Sequence, residues 1–279
     1  IIPGNANKSI FEIIKKNSLN YNDEKKLMNY VIKKKSIFIS TPFSRKAVDR
    51  LIKFRVPAIK IGSGECNNYP LVEYICKFKK PIILSTGMNS IETIRPAVNI
   101  IRRRKIPFAL LHCTNIYPTP PKLVRLNAML ELKKNFKDCI MGLSDHTSSI
   151  YTSLAAITMG ANIIEKHFTH NKLSKGPDIS ASMDPEELRQ LIKGSKIIFQ
   201  SKLGKKKALK EEAKTIKFAF GSVAVIRDIK KGDKFSNKNI FTLRPATGFY
   251  KVKDYYKLLG KTASRNLNKG YQLKKKDVK

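Results

Sequence analysis

The chain has 279 residues, 42% of them hydrophobic, and its 56 Lys and Arg against 21 Asp and Glu give a net charge of +35. That apolar share excludes global disorder and supplies a core for one large domain, or for a large and a small one. No apolar run nears the ~18 residues that span a bilayer and no signal peptide is visible, so a cytoplasmic protein is expected. The charge would attract any polyanion, but the lysines are scattered in short runs, such as Lys33 to Lys35 and Lys274 to Lys276, as on a solvated surface. There is no zinc finger, RRM-type signature or basic heptad helix, so specific nucleic-acid binding is not expected. Cys66, Cys76, Cys113 and Cys139 make no C-x-x-C pair and read as buried, reduced thiols.

In chain order, a Pro3-Gly4 turn comes first. Helices are predicted over residues 9–16 and 23–34, the second with Asn22 as N-cap and Leu27, Tyr30 and Val31 on one face. From Ile37 onward short apolar runs alternate with helical patterns. Strands are predicted at 37–41, 58–64, 81–87 and 108–114, and in the runs ending at Gly142 and Glu165. Helices fall between them, near 48–52, 71–77, 90–103, 126–135, 149–159 and 184–198, and Pro96 is expected to kink the third of these. Six strands, apolar on both sides and each followed by a helix, describe a parallel sheet covered on both faces. A doubly wound sheet would give that alternation too. Polar residues at the C-terminal end of every strand favour a (β/α)8 barrel with about six of its eight units present, over residues 1–202. A basic linker, 203–217, leads to a second domain at 218–279. There Gly232 matches Gly270, Phe235 matches Leu273 and Asn239 matches Asp277, each 38 residues apart.

In a barrel the strand ends crowd one mouth. Lys60 with Thr41, Ser63, Ser85 and Ser144 makes a ring of one cation and several hydroxyls, which suits a phosphate or carboxylate. Glu65 is the carboxylate of this group placed to move protons. His146 and His167 are 21 residues apart with a helix between them. As a βαβ unit this sets two imidazoles at matching ends of neighbouring strands, as a shared divalent metal requires. The alternative is two separate histidines satisfied by backbone and water.

Five stretches carry a family likeness: Lys60-Ile-Gly-Ser-Gly-Glu-Cys-Asn-Asn-Tyr-Pro70, Leu84-Ser-Thr-Gly-Met-Asn-Ser90, Leu111-His-Cys-Thr-Asn-Ile-Tyr-Pro-Thr-Pro120, Gly142-Leu-Ser-Asp-His-Thr147 and Gly176-Pro-Asp178. Over essentially its whole length the chain resembles the bacterial sialic acid (N-acetylneuraminate) synthases. The resemblance implies a (β/α)8 TIM barrel followed by a small antifreeze-like (SAF) domain. It also implies condensation of phosphoenolpyruvate with open-chain N-acetylmannosamine, giving N-acetylneuraminate and phosphate. By motif, His146 and His167 would hold Mn2+ or another divalent cation such as Mg2+. Thr41, Lys60, Ser63, Ser85 and Ser144 would bind phosphoenolpyruvate. Asn115, Tyr117 and Asp178 would bind the sugar, and Glu65 would transfer a proton or activate water. Phe218 and Arg244 match residues that reach the sugar from the neighbouring subunit, which implies a domain-exchanged homodimer. Legionaminate-type and 9-phosphate-forming synthases share this chemistry and stay open.

The chain also departs from the family. Members begin with two further strands bearing E-I-G-x-N-H and K-x-Q-T type motifs, which nothing here matches, and the numbering starts at Ile1. Residues 1–279 alone are therefore expected to be inactive or nearly so, lacking an acid and a second phosphate-binding lysine. A catalytically dead remnant acting as a binding protein, and nonspecific polyanion binding through charge, are the readings from other classes.

Overall fold

A computed structural model describes residues 1–2, 9–176 and 178–279; the expected Pro3-Gly4 turn and Pro177 lie outside them. The chain divides into two compact units, Ile1–Leu203 and Gly204–Lys279.

The first unit opens with helices α1 (Ile10–Asn17), α2 (Tyr21–Lys33) and α3 (Arg45–Lys53). The cap of α2 is Asn20, not Asn22: its side chain accepts from Asp23 N, the position an N-cap oxygen can reach. Strands and helices then alternate: β1 (Ile59–Ile61), α4 (Tyr69–Cys76), β2 (Ile82–Ser85), α5 (Ile91–Arg103), β3 (Phe108–Cys113), α6 (Asn127–Asn135), β4 (Ile140–Asp145), α7 (Tyr151–Thr158), β5 (Ile163–Lys166) and α8 (Pro185–Ser201). Helix α5 runs on through Pro96. The sheet order is β1-β2-β3-β4-β5 and every pairing is parallel. Each new strand is added on the same side and the order never reverses. That is the winding of a barrel wall, whereas a doubly wound sheet turns back at a switch point. The unit is thus a five-stranded half-barrel of the TIM type.

Five strands stand where six were expected. Residues 37–41 form no ladder with β1; one long bond, Lys60 N to Ser40 O at 3.4 Å, links them. Phe38 packs on the core, while Ile37 is 74% and Ile39 38% exposed. The apolar run suggested a strand buried on both sides, but its isoleucines face outward and one marginal bond does not hold a strand in register.

Side-chain alternation splits the sheet into two faces. Ile59, Ile61, Ile82, Leu84, Phe108, Leu110, Met141 and Leu143 join the core formed with the helices, including Val48, Leu51, Val72, Ile75, Val98, Ile101 and Phe136. The alternate set, Lys60, Ser85, Cys113, Ser144 and Glu165, faces the concave side. Gly142 is required in β4, because a Cβ there would collide with Leu111 and meet Ile163 O at 2.6 Å.

The second unit contains a 3-10 turn (Lys210–Glu212) and helix α9 (Ala213–Ala219) where the linker was expected. Strands β6 (Ser222–Val225) and β7 (Ile240–Leu243) and helix α10 (Tyr255–Leu258) follow. The 38-residue repeat is a structural pseudo-dyad. Gly232 N bonds Ala263 O and Gly270 N bonds Val225 O; Ile229 and Leu267 exchange both backbone bonds at 2.9 and 2.8 Å. Asn239 accepts from Ser236 N just as Asp277 accepts from Lys274 N. Gly232 and Gly270 have φ of 93° and 88°, where a side chain would be strained. Phe235 and Leu273 fill the core between the halves.

Candidate active site

The C-terminal ends of β1 to β5 bring one polar network together on the concave face. Lys60 reaches inward from β1, 7% exposed, and its Nζ donates to Ser85 Oγ at 2.8 Å and Ile61 O at 3.2 Å. Glu165 Oε2 stands 3.5 Å from that ammonium, and Glu165 Oε1 accepts from Ser144 Oγ at 2.9 Å. Burial lowers the Lys60 pKa, and Glu165 partly restores it. Ser63, in the turn after β1, accepts from Gly87 N at 3.0 Å, while Asn89 Nδ2 donates to Ser63 O. A Cβ on Gly87 would collide with Asn115 Oδ1 and lie 3.0 Å from Ser63 Oγ, so a side chain there would displace Asn115.

The two histidines meet as expected. Their ring centroids are 5.2 Å apart with planes at 81°. Tyr117 lies against both, 4.2 Å from His146 and 5.6 Å from His167. His146 Nδ1 donates to Thr114 O at 2.9 Å, which assigns the ring proton to Nδ1 and leaves a lone pair on Nε2. Burial lowers the His146 pKa against the pull of the Thr114 bond, favouring the neutral ring. His167 Nδ1 is 3.6 Å from Asp178 Oδ2. Among the described residues no cluster of three or more His, Cys, Asp or Glu is arranged for a metal ion. The pair itself fits one: a neutral imidazole with its far nitrogen anchored beside a second imidazole is the donor set a divalent ion takes. Its other ligands would be water or substrate.

Asn115 and Tyr117 lie between the histidines and the Lys60 network. Asn115 Oδ1 accepts from Cys113 Sγ, and Asn115 Nδ2 approaches the Tyr117 hydroxyl at 3.5 Å. Burial pushes the Tyr117 phenol up to about 12, so it stays a donor. Two expected residues stand apart from this network. Glu65 accepts from Asn68 Nδ2 at 2.6 Å on the turn after β1, and Thr41 lies beside the Gly62 backbone. Phe218, 63% exposed on α9, and Arg244, exposed after β7, belong to the second unit.

Four residues of the site escaped the sequence reading as site residues. Glu165 is the carboxylate inside the network, and Cys113 lies beside His146 and Asn115. Behind the histidines Asp145 and Lys166 form a buried pair on the helix side of the sheet. Burial raises the Asp145 pKa, but Lys166, Ser153, Thr152 and the Thr147 amide outweigh it and hold the carboxyl below its ordinary value. Burial lowers Lys166 despite Asp145. The signal available was spacing: Glu165 lies two residues before His167 and so shares its face, whereas Asp145 on β4 and Lys166 on β5 each directly precede a histidine and so face the other way.

Residues 3–208 match the NeuB family and residues 220–279 the SAF domain. The chain belongs to the NeuB family. It is 41% identical over 263 residues to the N,N'-diacetyllegionaminic acid synthase of Campylobacter jejuni, covering 92% of this chain and 78% of that protein. Human N-acetylneuraminate-9-phosphate synthase is 34% identical over 174 residues, 62% of this chain and 48% of that one. Among solved structures, the N-acetylneuraminic acid synthetase of Leptospira borgpetersenii, in complex with citrate, matches with a TM-score of 0.70 at 32% identity, over 74% of this chain and 72% of that one. For this NeuB-family chain the sheet order and the C-terminal-end network stand on its own residues. No helix among the described residues is long and apolar enough to cross a membrane.

Proposed function

We propose that this chain is a nonulosonic acid synthase that joins phosphoenolpyruvate to the open-chain aldehyde of an N-acetylated mannosamine. The observation that carries the reading is the juxtaposition of the buried Lys60–Ser85–Ser144 donors with the His146–His167 pair on one face of the half-barrel. Lys60, with Ser63, Ser85, Ser144 and Thr41, binds the anionic donor. In a low-dielectric pocket each charge-assisted bond to it is worth more than in water. Glu165 now holds Lys60 and Ser144, so the arriving anion must share or displace it. Asn115, Tyr117 and Asp178 hold the sugar, with Phe218 and Arg244 supplied by the partner in a domain-exchanged homodimer. His146 and His167 would hold a divalent ion, Mn2+ or Mg2+, which would supply Lewis acidity toward the aldehyde. C3 of phosphoenolpyruvate attacks the aldehyde carbon, water adds at C2 and phosphate departs. Glu65 moves the proton or activates that water.

The acceptor is N-acetylmannosamine or, as similarity to the Campylobacter enzyme supports, a sugar with a second acetamido group. A 6-phosphorylated acceptor is the third candidate. The test is calorimetric titration with phosphoenolpyruvate, then incubation with each acceptor and Mn2+ and product detection by mass spectrometry. Lys60→Ala should weaken phosphoenolpyruvate binding by roughly 10- to 100-fold, the equivalent of one lost charge-assisted bond of about 1.5–3 kcal/mol. Phosphoenolpyruvate binding by the parent no stronger than by Lys60→Ala overturns the reading.

A further inference from the structure

Asp145 and Lys166 sit opposite each other in register on β4 and β5, on the face away from Ser144 and Glu165. Their side chains are 0% and 1% exposed, and Lys166 Nζ is 3.5 Å from Asp145 Oδ2. The pair does more than neutralise itself. Asp145 Oδ1 accepts from Thr147 N at 2.9 Å, and Lys166 Nζ donates to Thr147 O at 2.6 Å. Asp145 Oδ2 also accepts from Thr152 Oγ1 and Ser153 Oγ, both at 2.6 Å, which ties the start of α7 to the same carboxylate. Thr147 Oγ1 meets Thr152 Oγ1 at 2.9 Å and donates to Ser149 O. Thus both peptide groups of the residue after His146 are bonded to this pair, the residue before His146 is one member of it, and the residue before His167 is the other.

A buried ion pair is a poor device for stability, since desolvation offsets most of its attraction and apolar replacements of similar volume are often neutral or stabilising. Fixing geometry is what it does well when every donor and acceptor is satisfied, and no buried side-chain polar atom among the described residues lacks a partner. We infer that Asp145 and Lys166 are positioning residues that set the separation and orientation of the His146 and His167 imidazoles from the opposite face of the sheet. The inference rests on the reading of those histidines as a metal-ligand pair. Strand β5 pairs only with β4 among the strands of its sheet, so a cross-strand clamp at its end acts where the ladder constrains it least. Supporting groups behind metal-ligating histidines typically contribute 10- to 100-fold in metal affinity.

The test compares the parent with Asp145→Leu/Lys166→Met, which removes both charges and keeps apolar volume, and with Lys166→Arg, which keeps the charge but changes its shape. Three quantities are read: the denaturation midpoint, Co2+ affinity from its visible absorption, and the imidazole NMR resonances of the metal-free protein. The chain has four histidines, so the resonances can be assigned by substitution. His146 is stacked on Tyr117 at 4.2 Å, so its ring-current shift reports small displacements. The double variant, which takes these partners from Thr147 N and O, should lower the denaturation midpoint and lose about 10- to 100-fold in Co2+ affinity. The His146 and His167 resonances should move while those of His112 and His170 stay. Unmoved His146 and His167 resonances in a folded double variant overturn the inference. If that variant does not fold, Lys166→Arg decides on the same resonances. A parent that binds no Co2+ sinks the metal reading instead, and the metal-free resonances still decide the positioning role.

Discussion

Gly87 illustrates how the smallest side chain shapes the site. Its amide donates to Ser63 Oγ, and Asn115 occupies the space a Cβ would need. Gly87→Ala should therefore displace Asn115 and break the Ser63 bond while leaving the core untouched. Titration calorimetry should show phosphoenolpyruvate binding about tenfold weaker, near 1.4 kcal/mol for one buried hydrogen bond, with an unchanged circular dichroism spectrum. Parental affinity would show that Ser63 does not contact the donor. Cys66 makes the complementary point for the core. It is fully buried, and desolvation pushes its thiol from 9.0 up to about 12. Folding thus favours the protonated form. That contribution is whole below pH 9 and is lost as pH rises through the folded value near 12. Denaturation curves should show stability falling by about 1.4 kcal/mol per pH unit across this window from this thiol. Cys66→Ala should fall less steeply than the parent; equal slopes would mean that another group governs the alkaline limb.

At the scale of elements, the helices of the first unit end in an unusual way. Lys35, Arg55, Lys79 and Lys105 lie just beyond α2, α3, α4 and α5 with φ between 52° and 57°. Around Lys35, Arg55 and Lys105 the bonds are those of a Schellman ending: Ser36 N bonds Val31 O, Val56 N bonds Leu51 O and Ile106 N bonds Ile101 O. Glycine is the residue that suits this position, and after α7 it is Gly160 with φ 108°. A side chain held in the left-handed region costs about 1–2 kcal/mol. Arg55→Gly and Lys105→Gly should each relieve part of that strain and raise stability in urea by ~0.5–1 kcal/mol, offset by the extra entropy of an unfolded glycine. A loss of stability in both would show that the basic side chains bond the last carbonyls strongly enough to outweigh the strain.

For the molecule as a whole, the second unit has its own core, in which Phe235, Leu273, Val223, Val225 and Ile240 are at most 1% exposed. The pseudo-dyad pairs distant halves of the segment through backbone bonds, so the unit's order is internal. Residues 204–279 expressed alone should fold to a compact monomer with a radius of gyration of about 11 Å and a cooperative unfolding transition. Phe235→Ala should cost about 3–5 kcal/mol and abolish that transition. Dispersed amide resonances in the parent fragment, lost in the variant, would meet the expectation. A fragment without dispersed resonances would show that its fold depends on the rest of the chain.

What could be read without coordinates was local. Lys60, Ser85 and Ser144 stood out as polar residues inside strands otherwise apolar on both sides, and a strand's two-residue period says they share a face. The pairing of His146 with His167 followed from one βαβ unit, and the 38-residue repeat was visible as spacing alone. What sequence could not decide was register, because a hydrogen-bond ladder is a property of two segments together. Residues 37–41 read as a buried strand yet form no ladder with β1. Glu165 matters because register sets it across from Ser144 and beside Lys60. Asp145 and Lys166 look like ordinary charges in the chain, and only the tertiary fold buries them together behind the two histidines. Composition and periodicity act through neighbours in sequence, and so they determine the elements and their faces. Contacts between elements act through space, and they decide which of those polar residues share a site.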